Sequence, residues 1–271
     1  MLRKHLLLVL ILLTYFIGYA QNKKQVLQQD TWAFTQIKTD TIFNSNQIIS
    51  LLTIPKSSLD EYNIEINYRN SELKTTSSFA EDGNAIAAIN GSFFDMKKGG
   101  SVTYLEITDS VITRSLSPEL KSNTFDNIID GAVILAKDNT IRLEYAQPDK
   151  FYEQSKKESA VLGTGPVLLL NSTPVKLADI KFVNNRHPRT CMCLKKKAVV
   201  LITIDGRQDE AEGMSLPEVQ TFLQNIKCID AINLDGGGST TMWIKDSGIV
   251  NFPSDKTGER AVANVILVTE N

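Results

Sequence analysis

The sequence predicts an α+β protein whose core is a strand-rich, mixed or antiparallel sheet arrangement with few helices. Most apolar segments are short, and they either alternate with polar residues or form continuous β-branched runs, as half-buried and fully buried strands do. One segment, 215–226, has helical spacing instead. Because it lies between two apolar runs, strand, helix and strand form a βαβ-like unit near the C-terminus.

The elements before this unit are predicted mainly as strands. Segments 31–38, 47–54 and 62–68 are β-rich, and the last alternates cleanly. The remaining predictions are one or two serine-capped helical turns over 77–82, a buried strand over 85–89, hairpins over 103–113 and 131–145, a short surface helix over 150–159, a glycine-interrupted strand over 161–170 and a polar loop over 184–190.

The C-terminal unit has the clearest signals. The run 198–204 is fully apolar and predicts a buried strand. Ser215 is the expected N-cap of the helix, with Pro217 in its first turn and Glu218 completing a capping box. A strand over 231–234 follows the helix, and a last buried strand over 262–268 closes the chain.

The N-terminus of this 271-residue chain has the pattern of a secretory signal peptide over residues 1–20. Arg3 and Lys4 precede an apolar stretch, and Gly18–Ala20 supplies small residues for cleavage after Ala20. An uncleaved N-terminal anchor is the alternative, but the stretch is short for a membrane span. We therefore expect a secreted or periplasmic protein without stable membrane insertion. Residues 21–75 are expected to form N-terminal strands packed on a main domain over 76–271.

Composition narrows the possible partners. The formal net charge is −2, and loss of residues 1–20 makes it more negative, so the chain has no electrostatic footprint for nucleic acid. In an oxidising compartment Cys228 can pair with Cys191 or Cys193, leaving one free thiol. His187 is the only histidine after the signal peptide. This excludes a histidine-rich metal site, and no cofactor is expected, although an all-oxygen Ca²⁺ or Mg²⁺ site remains conceivable.

Buried strands end three times in Asn or Asp followed by Gly. These ends are Asn90-Gly91, Asp205-Gly206 and Asp235-Gly236. Each alone is typical of a turn, but together they can meet at one sheet edge as a polar pocket. Asp235 and Asp205 are then the candidate catalytic carboxylates, because acid/base or nucleophilic work on a sugar uses such a pair. Glu212, Asp95 and Glu106 are held in reserve.

The candidate substrate-binding groups surround these strand ends. Guanidinium groups bind phosphate oxygens bidentately, which favours Arg189 and Arg207; an ion pair of Arg207 with Glu210 or Glu212 is the alternative. His187 either acts as an acid or base or orients the Pro-Arg turn. The other hydroxyl- or phosphate-binding candidates are Asn90, Gly236, Gly237, Gly238, Ser239 and Thr240.

Motifs across roughly residues 80–270 resemble the phosphodiester glycosidase family. The motifs that carry the resemblance are Ala88–Phe94, Gly163–Pro166, His187–Thr190, Asp205–Gln208, Gly213–Leu216, Asn233–Ser239 and Arg260–Asn264. Asp235–Ser239 with its upstream helix is the most specific of them. Ser92 departs from the pattern, because the first motif of the family reads Asn-Gly-Gly-Phe-Phe.

The resemblance implies hydrolysis of a sugar-1-phosphodiester, of the N-acetylglucosamine type, to free sugar and phosphomonoester. Arginines would stabilise the leaving phosphate, and Asp235 or Asp205 would assist an oxocarbenium-like transition state. Two other functions stay open. One is a glycan- or envelope-binding module without turnover, and the other is a metal-dependent phosphodiesterase. The sugar, the aglycone, retention or inversion, and the oligomeric state are not determined by the sequence.

Overall fold

The computed structural model describes residues 23–29, 31–115 and 128–271. The predicted signal peptide, residues 1–20, lies outside them. The strands are β1 (Lys23–Gln29), β2 (Trp32–Thr39), β3 (Gln47–Pro55), β4 (Tyr62–Tyr68), β5 (Ala87–Asn90), β6 (Leu105–Ile107), β7 (Ser110–Thr113), β8 (Gly131–Ala136), β9 (Ile141–Tyr145), β10 (Glu158–Thr164), β11 (Val167–Leu170), β12 (Thr173–Pro174), β13 (Arg189–Leu194), β14 (Ala198–Ile204), β15 (Asp230–Asn233), β16 (Met242–Ile244), β17 (Gly248–Ile249) and β18 (Asn264–Glu270).

Four α-helices accompany these strands in the described part of the chain. They are α1 (Thr76–Asp82), α2 (Asp149–Ser155), α3 (Lys181–Asn184) and α4 (Leu216–Asn225). None of the described helices has the length and hydropathy needed to cross a membrane. The predominance of strands confirms the predicted α+β class.

The strands form three antiparallel sheets. The eight-stranded sheet has the order β1-β2-β3-β14-β13-β15-β11-β12. The β10 sheet has the order β7-β6-β10-β8-β9, and the β18 sheet has the order β17-β16-β5-β18-β4. Both β14 and β15 pair antiparallel with β13, so they run parallel to each other with one strand between them. With α4 as the connection, they form the predicted βαβ-like unit.

Strand β14, inside the eight-stranded sheet, is buried on both faces, which explains its continuous apolar run. Val199 and Leu201 face the main core, which the other two sheets share. Val200 and Ile202 face the opposite side, where α4 packs. Since successive strand residues point to opposite faces, a strand covered on both sides needs apolar residues throughout.

Helix α4 begins as the sequence predicts. The Ser215 hydroxyl accepts from the Glu218 N–H, and the Glu218 carboxylate accepts from the Ser215 N–H, so the capping box is complete. A disulfide joins Cys193 on β13 to Cys228 at the end of the α4 connection. Of the two pairings left open by the sequence, this is the one formed, and Cys191 is a buried free thiol.

Three local predictions were wrong. The segment 161–170 is not one strand, because it divides at Gly165-Pro166 into β10 and β11 of different sheets; Gly165 has a φ of +151° and Pro166 has no N–H to donate. Arg189 and Thr190 are not loop residues but begin β13, which pairs on both sides. The cap of α1 is Thr75 and not a serine.

Candidate active site

The three strand ends that carry Asn90, Asp205 and Asp235 lie close together. Strands β14 and β15 are parallel, so Asp205 and Asp235 follow the same edge of the eight-stranded sheet. The end of β5 joins this edge from the β18 sheet: Asn90 Nδ2 donates to the Asp235 carbonyl at 2.7 Å, and the Asp235 N–H donates to Gly91 O at 3.0 Å. The main chains around two of the predicted tips are therefore hydrogen-bonded directly to each other.

The Asn90 side chain is held by hydrogen bonds to other parts of the protein through both its Nδ2 and its Oδ1. It is fully buried, and its Oδ1 accepts from the Thr190 hydroxyl at 2.8 Å and from the Thr241 N–H at 3.1 Å. With the bond to Asp235, it links β5, the start of β13 and the chain that follows the glycine loop. The contacts present in the structure thus give Asn90 a positioning role, and hydroxyl binding by this residue stays a prediction.

Asp235 is half-buried at the start of the glycine loop. Its Oδ1 accepts from the Gly236 N–H at 2.9 Å. Burial raises the pKa of this carboxyl to about 6 from its ordinary value of 3.8, and the Gly236 N–H and the charges of Arg260 and Arg207 oppose part of this rise. A carboxyl group with this pKa is ionised at neutral pH and titrates in mild acid.

The glycine loop is short and makes a single 3₁₀ turn over Gly237–Ser239 before β16. The Gly236 N–H donates to Asp235 Oδ1, and the Gly237 N–H donates to Pro188 O at 2.9 Å. Ser239 and Thr240 are buried. The Ser239 hydroxyl has no hydrogen-bond partner among the described residues, whereas the Thr240 hydroxyl oxygen lies 3.3 Å from that of Thr190.

Asp205 has a different environment from Asp235. Its side chain is inside the protein, with 1% of the residue exposed. Oδ1 accepts from Asn251 Nδ2 at 2.8 Å and from the Phe252 N–H at 3.1 Å, while Oδ2 has no partner among the described residues. Burial raises the pKa of Asp205 to about 7, against these hydrogen bonds and the charge of Lys38.

Asn251 connects the two carboxyl-bearing ends. Its Nδ2 donates to Asp205 Oδ1 and also to the Thr240 carbonyl at 3.1 Å, and its Oδ1 accepts from the Met242 N–H at 2.7 Å. The environment of Asp205 is therefore linked by one side chain to the end of the glycine loop.

Arg207 lies over the glycine loop, exposed to solvent. Its φ of +61° turns the chain immediately after Asp205-Gly206. A Cβ at position 237 would lie 3.1 Å from both Nη1 and Nη2, so the guanidinium group rests against Gly237. The ion pair considered from the sequence is absent among the described residues, since Glu212 pairs instead with Arg186 at 2.7 Å.

His187 is half-buried beside Arg207, with Nδ1 3.4 Å from Arg207 Nη2. Burial, together with the charges of Arg189 and Arg207, lowers the pKa of the imidazole below its ordinary value. His187 is therefore neutral at neutral pH, and its Nδ1 is an acceptor oriented towards a guanidinium group.

Arg189 is a buried strand residue and does not lie in the polar loop that the sequence predicted. It is 1% exposed and donates to the carbonyls of Met214 at 2.9 Å, Phe182 at 2.7 Å and Asn185 at 2.9 Å. Burial lowers its pKa to about 10, so it stays protonated at neutral pH. These contacts hold the segments before β13 and α4, and phosphate binding by Arg189 stays a prediction.

The reserve carboxylates have other partners. Glu212 is exposed and paired with Arg186, and Asp95 accepts from the N–H groups of Lys97 and Lys98 in a local turn. Glu106 is buried on β6 and bonded to the Tyr104 hydroxyl. None of these contacts connects a reserve carboxylate to the glycine loop.

Sequence reasoning missed the segment 251–260, which contributes Asn251, Asp255 and Arg260. Arg260 pairs with Asp255 through two bonds, Nε to Oδ2 at 2.7 Å and Nη2 to Oδ1 at 2.9 Å. A Cβ at position 238 would overlap both Arg260 Nη2 and Asp255 Oδ1. The available signal was the position of Arg260 at the start of the motif Arg260–Asn264. The described residues contain no group of three His, Cys, Asp or Glu side chains arranged for a metal ion.

The fold and this site together define an α+β protein with a glycine loop at the end of a βαβ-like unit. Two carboxyl groups of raised pKa, Asp205 and Asp235, lie at this end of the unit, and the guanidinium groups of Arg207 and Arg260 rest against the loop. Comparison with known proteins extends this description. A family model described as phosphodiester glycosidase matches residues 83–269. Because the match covers more than half of the chain, the chain belongs to the phosphodiester glycosidase family.

Curated relatives include two mammalian proteins described as N-acetylglucosamine-1-phosphodiester alpha-N-acetylglucosaminidase. The protein from Bos taurus is 36% identical over 97 residues, 33% of this chain and 18% of that protein. The protein from Mus musculus is 24% identical over 213 residues, 75% of this chain and 36% of that protein. A prophage-derived uncharacterized protein of Bacillus subtilis is 24% identical over 200 residues, 72% of this chain and 30% of that protein. The chain thus spans little more than a third of these relatives, or less.

Solved structures show the same fold at low identity. The zebrafish N-acetylglucosamine-1-phosphodiester alpha-N-acetylglucosaminidase catalytic domain, described as auto-inhibited by its pro-peptide, has a TM-score of 0.69 at 18% identity, covering 92% of this chain and 88% of that one. A hypothetical protein from Synechocystis has a TM-score of 0.70 at 13% identity, covering 93% and 64%.

Proposed function

We propose that this protein is a secreted or periplasmic glycosidase that hydrolyses a sugar-1-phosphodiester of the N-acetylglucosamine-1-phosphodiester type. The observation that carries the proposal is the half-buried Asp235 carboxyl, next to a glycine loop against which the Arg207 guanidinium rests. Family membership supports the reaction class. The signal-peptide pattern and the Cys193–Cys228 disulfide support an oxidising compartment outside the cytoplasm.

The reaction breaks the bond between the anomeric carbon and the phosphate oxygen. Water supplies the oxygen of the free sugar, the electron pair of the broken bond stays on the phosphate, and the second water proton is released. A phosphomonoester leaves easily, so the site needs charge stabilisation more than a strong proton donor. Arg207 supplies positive charge for the phosphate oxygens, and Asp235 faces the oxocarbenium-like sugar as a carboxylate.

The raised pKa of Asp235 has a direct consequence for this mechanism. The group acts as a carboxylate, so protonation removes its function. Because the pKa is about 6, kcat/KM is expected to fall as the pH drops below about 6.

The decisive experiment follows release of free sugar from a panel of sugar-1-phosphodiesters by the purified protein, Asp235→Asn and Asp246→Asn. The second variant is a matched control, because Asp246 is exposed in the turn between β16 and β17 and Asn tolerates its φ of +63°. We expect release by the wild type and Asp246→Asn and a loss of about 100-fold or more in Asp235→Asn. Binding of these compounds without any turnover, in folded wild-type protein, would support a glycan-binding module instead.

A further inference from the structure

Arg260 is an arginine at the glycine loop that the proposed mechanism does not yet use. Its two bonds to Asp255 occupy Nε and one N–H of Nη2. Three of its five N–H groups therefore have no partner among the described residues. Both side chains are partly exposed, at 25% for Arg260 and 29% for Asp255. The guanidinium plane is fixed by its partner, and part of it remains open to a ligand.

The close approach of this ion pair to the loop depends on glycine at position 238. Any Cβ there would overlap Arg260 Nη2 and Asp255 Oδ1. Gly238 itself has a backbone φ outside the left-handed region, so conformation alone does not require glycine. The missing side chain is needed to let the ion pair pack directly against the loop backbone.

Arg207 occupies the corresponding position at the preceding glycine. Its Nη1 and Nη2 lie 3.1 Å from the site of a Cβ at position 237. Gly237 and Gly238 directly follow Asp235-Gly236, so both guanidinium groups lie against the loop that Asp235 begins. Their positive charges also act to lower the pKa of Asp235, against the larger effect of burial. Two cationic forks thus approach one loop at adjacent glycines, and each has N–H groups that match the spacing of phosphate oxygens.

We propose that Arg260 and Arg207 form a two-armed clamp for the phosphate group of the substrate, with Asp255 orienting Arg260. This inference rests on the proposed function and names the groups that hold its leaving phosphate. A phosphodiester has one negative charge, whereas the phosphomonoester product approaches two at neutral pH. The clamp therefore binds the departing phosphate more strongly than the substrate, which favours the transition state and makes phosphomonoesters inhibitors.

The test measures phosphate binding separately from turnover. Calorimetric titration with inorganic phosphate and with glycerol 1-phosphate is compared for the wild type, Arg260→Lys, Arg260→Gln and the matched control Arg142→Lys. Arg142 is also ion-paired, with Glu144 and Glu158, but lies on β9 in the β10 sheet. Gly238→Ala is included because it displaces the ion pair without changing any charge. Thermal unfolding verifies that each variant is folded.

We expect phosphate binding to weaken about 10- to 100-fold in Arg260→Gln, and at least several-fold in Arg260→Lys and Gly238→Ala, with Arg142→Lys unchanged. Wild-type affinity in folded Arg260→Gln, or no phosphate binding by the wild type at millimolar concentration, would overturn the clamp even if sugar release is found. Arg260-dependent phosphate binding without sugar release from any phosphodiester would support the clamp and refute the proposed function.

Discussion

The Asp205→Asn variant is expected to gain stability over the wild type as the pH rises from acid to neutral. The carboxyl is almost completely buried, one of its oxygens has no partner among the described residues, and its pKa is raised to about 7. An ionised carboxylate in this position is poorly solvated. Asn251 and the Phe252 N–H offset only part of this penalty.

The sign follows from the two protonation states. In the unfolded chain the group ionises near its ordinary pKa of 3.8, while the folded protein keeps the proton until about pH 7. The contribution of the Asp205 carboxyl to the free energy of unfolding is thus fully present below about pH 4, and it is lost as the pH rises to about 7. At about 1.4 kcal/mol for each pKa unit, the loss amounts to about 4 kcal/mol. Asparagine does not ionise and avoids it.

The assay is urea unfolding of the wild type and Asp205→Asn between about pH 4 and about pH 8, followed by fluorescence of Trp32 and Trp243. We expect the difference in free energy of unfolding to move in favour of the variant by up to about 4 kcal/mol across this range. Asp246→Asn, an exposed matched change, should show no such trend. A difference for Asp205→Asn that stays flat across the range would refute the reasoning.

Two further predictions concern the support of the site. Cys228→Ala opens a disulfide that joins positions 35 apart, and the loss of chain restraint is expected to cost about 4 kcal/mol, measured as a lower urea midpoint; an unchanged midpoint would contradict it. Arg189→Met leaves three carbonyls without their donor and is expected to cost about 3 kcal/mol or more, measured by thermal unfolding. Wild-type stability combined with lost phosphate affinity would instead favour the phosphate-binding role first predicted for Arg189.

The regular elements were predictable because their signals are local. The capping box of α4 involves residues three positions apart, and the alternation of β4 is visible within seven residues. One wrong prediction, the loop assigned to Arg189 and Thr190, depended on contacts far away in the sequence. Arg189 and Thr190 have polar side chains typical of a loop, yet they join β13 because β14 and β15 supply pairing partners on both sides. No property of the segment itself contains that information.

The same division applies to the candidate site. The Asn-Gly and Asp-Gly strand ends were visible, and the parallel course of β14 and β15 brings two of them to one edge. The role of each side chain depends on its burial, and burial cannot be read from the residue type alone. Arg189 is buried and donates to carbonyls, whereas Arg207 is exposed. Arg260 belongs to a motif, but its place in the site was missed. Gly238 and Arg260 are 22 positions apart in the sequence, and they come into contact only in the folded chain.

The N-terminal strands carry no motif, but they support the loops of the site. Gln47 on β3 donates to Gly213 O at 2.8 Å, beyond the Asp205 tip, and Gln36 on β2 donates to Val250 O at 2.7 Å, just before Asn251. Lys38 on β2 lies 5.0 Å from the ring of Phe252, whose N–H binds Asp205. Residues outside the segment matched by the family model therefore fix the position of the group that neighbours Asp205. A change in these strands can alter the Asp205 environment without touching any motif, since the hydrogen bonds that position the loops come from β2 and β3.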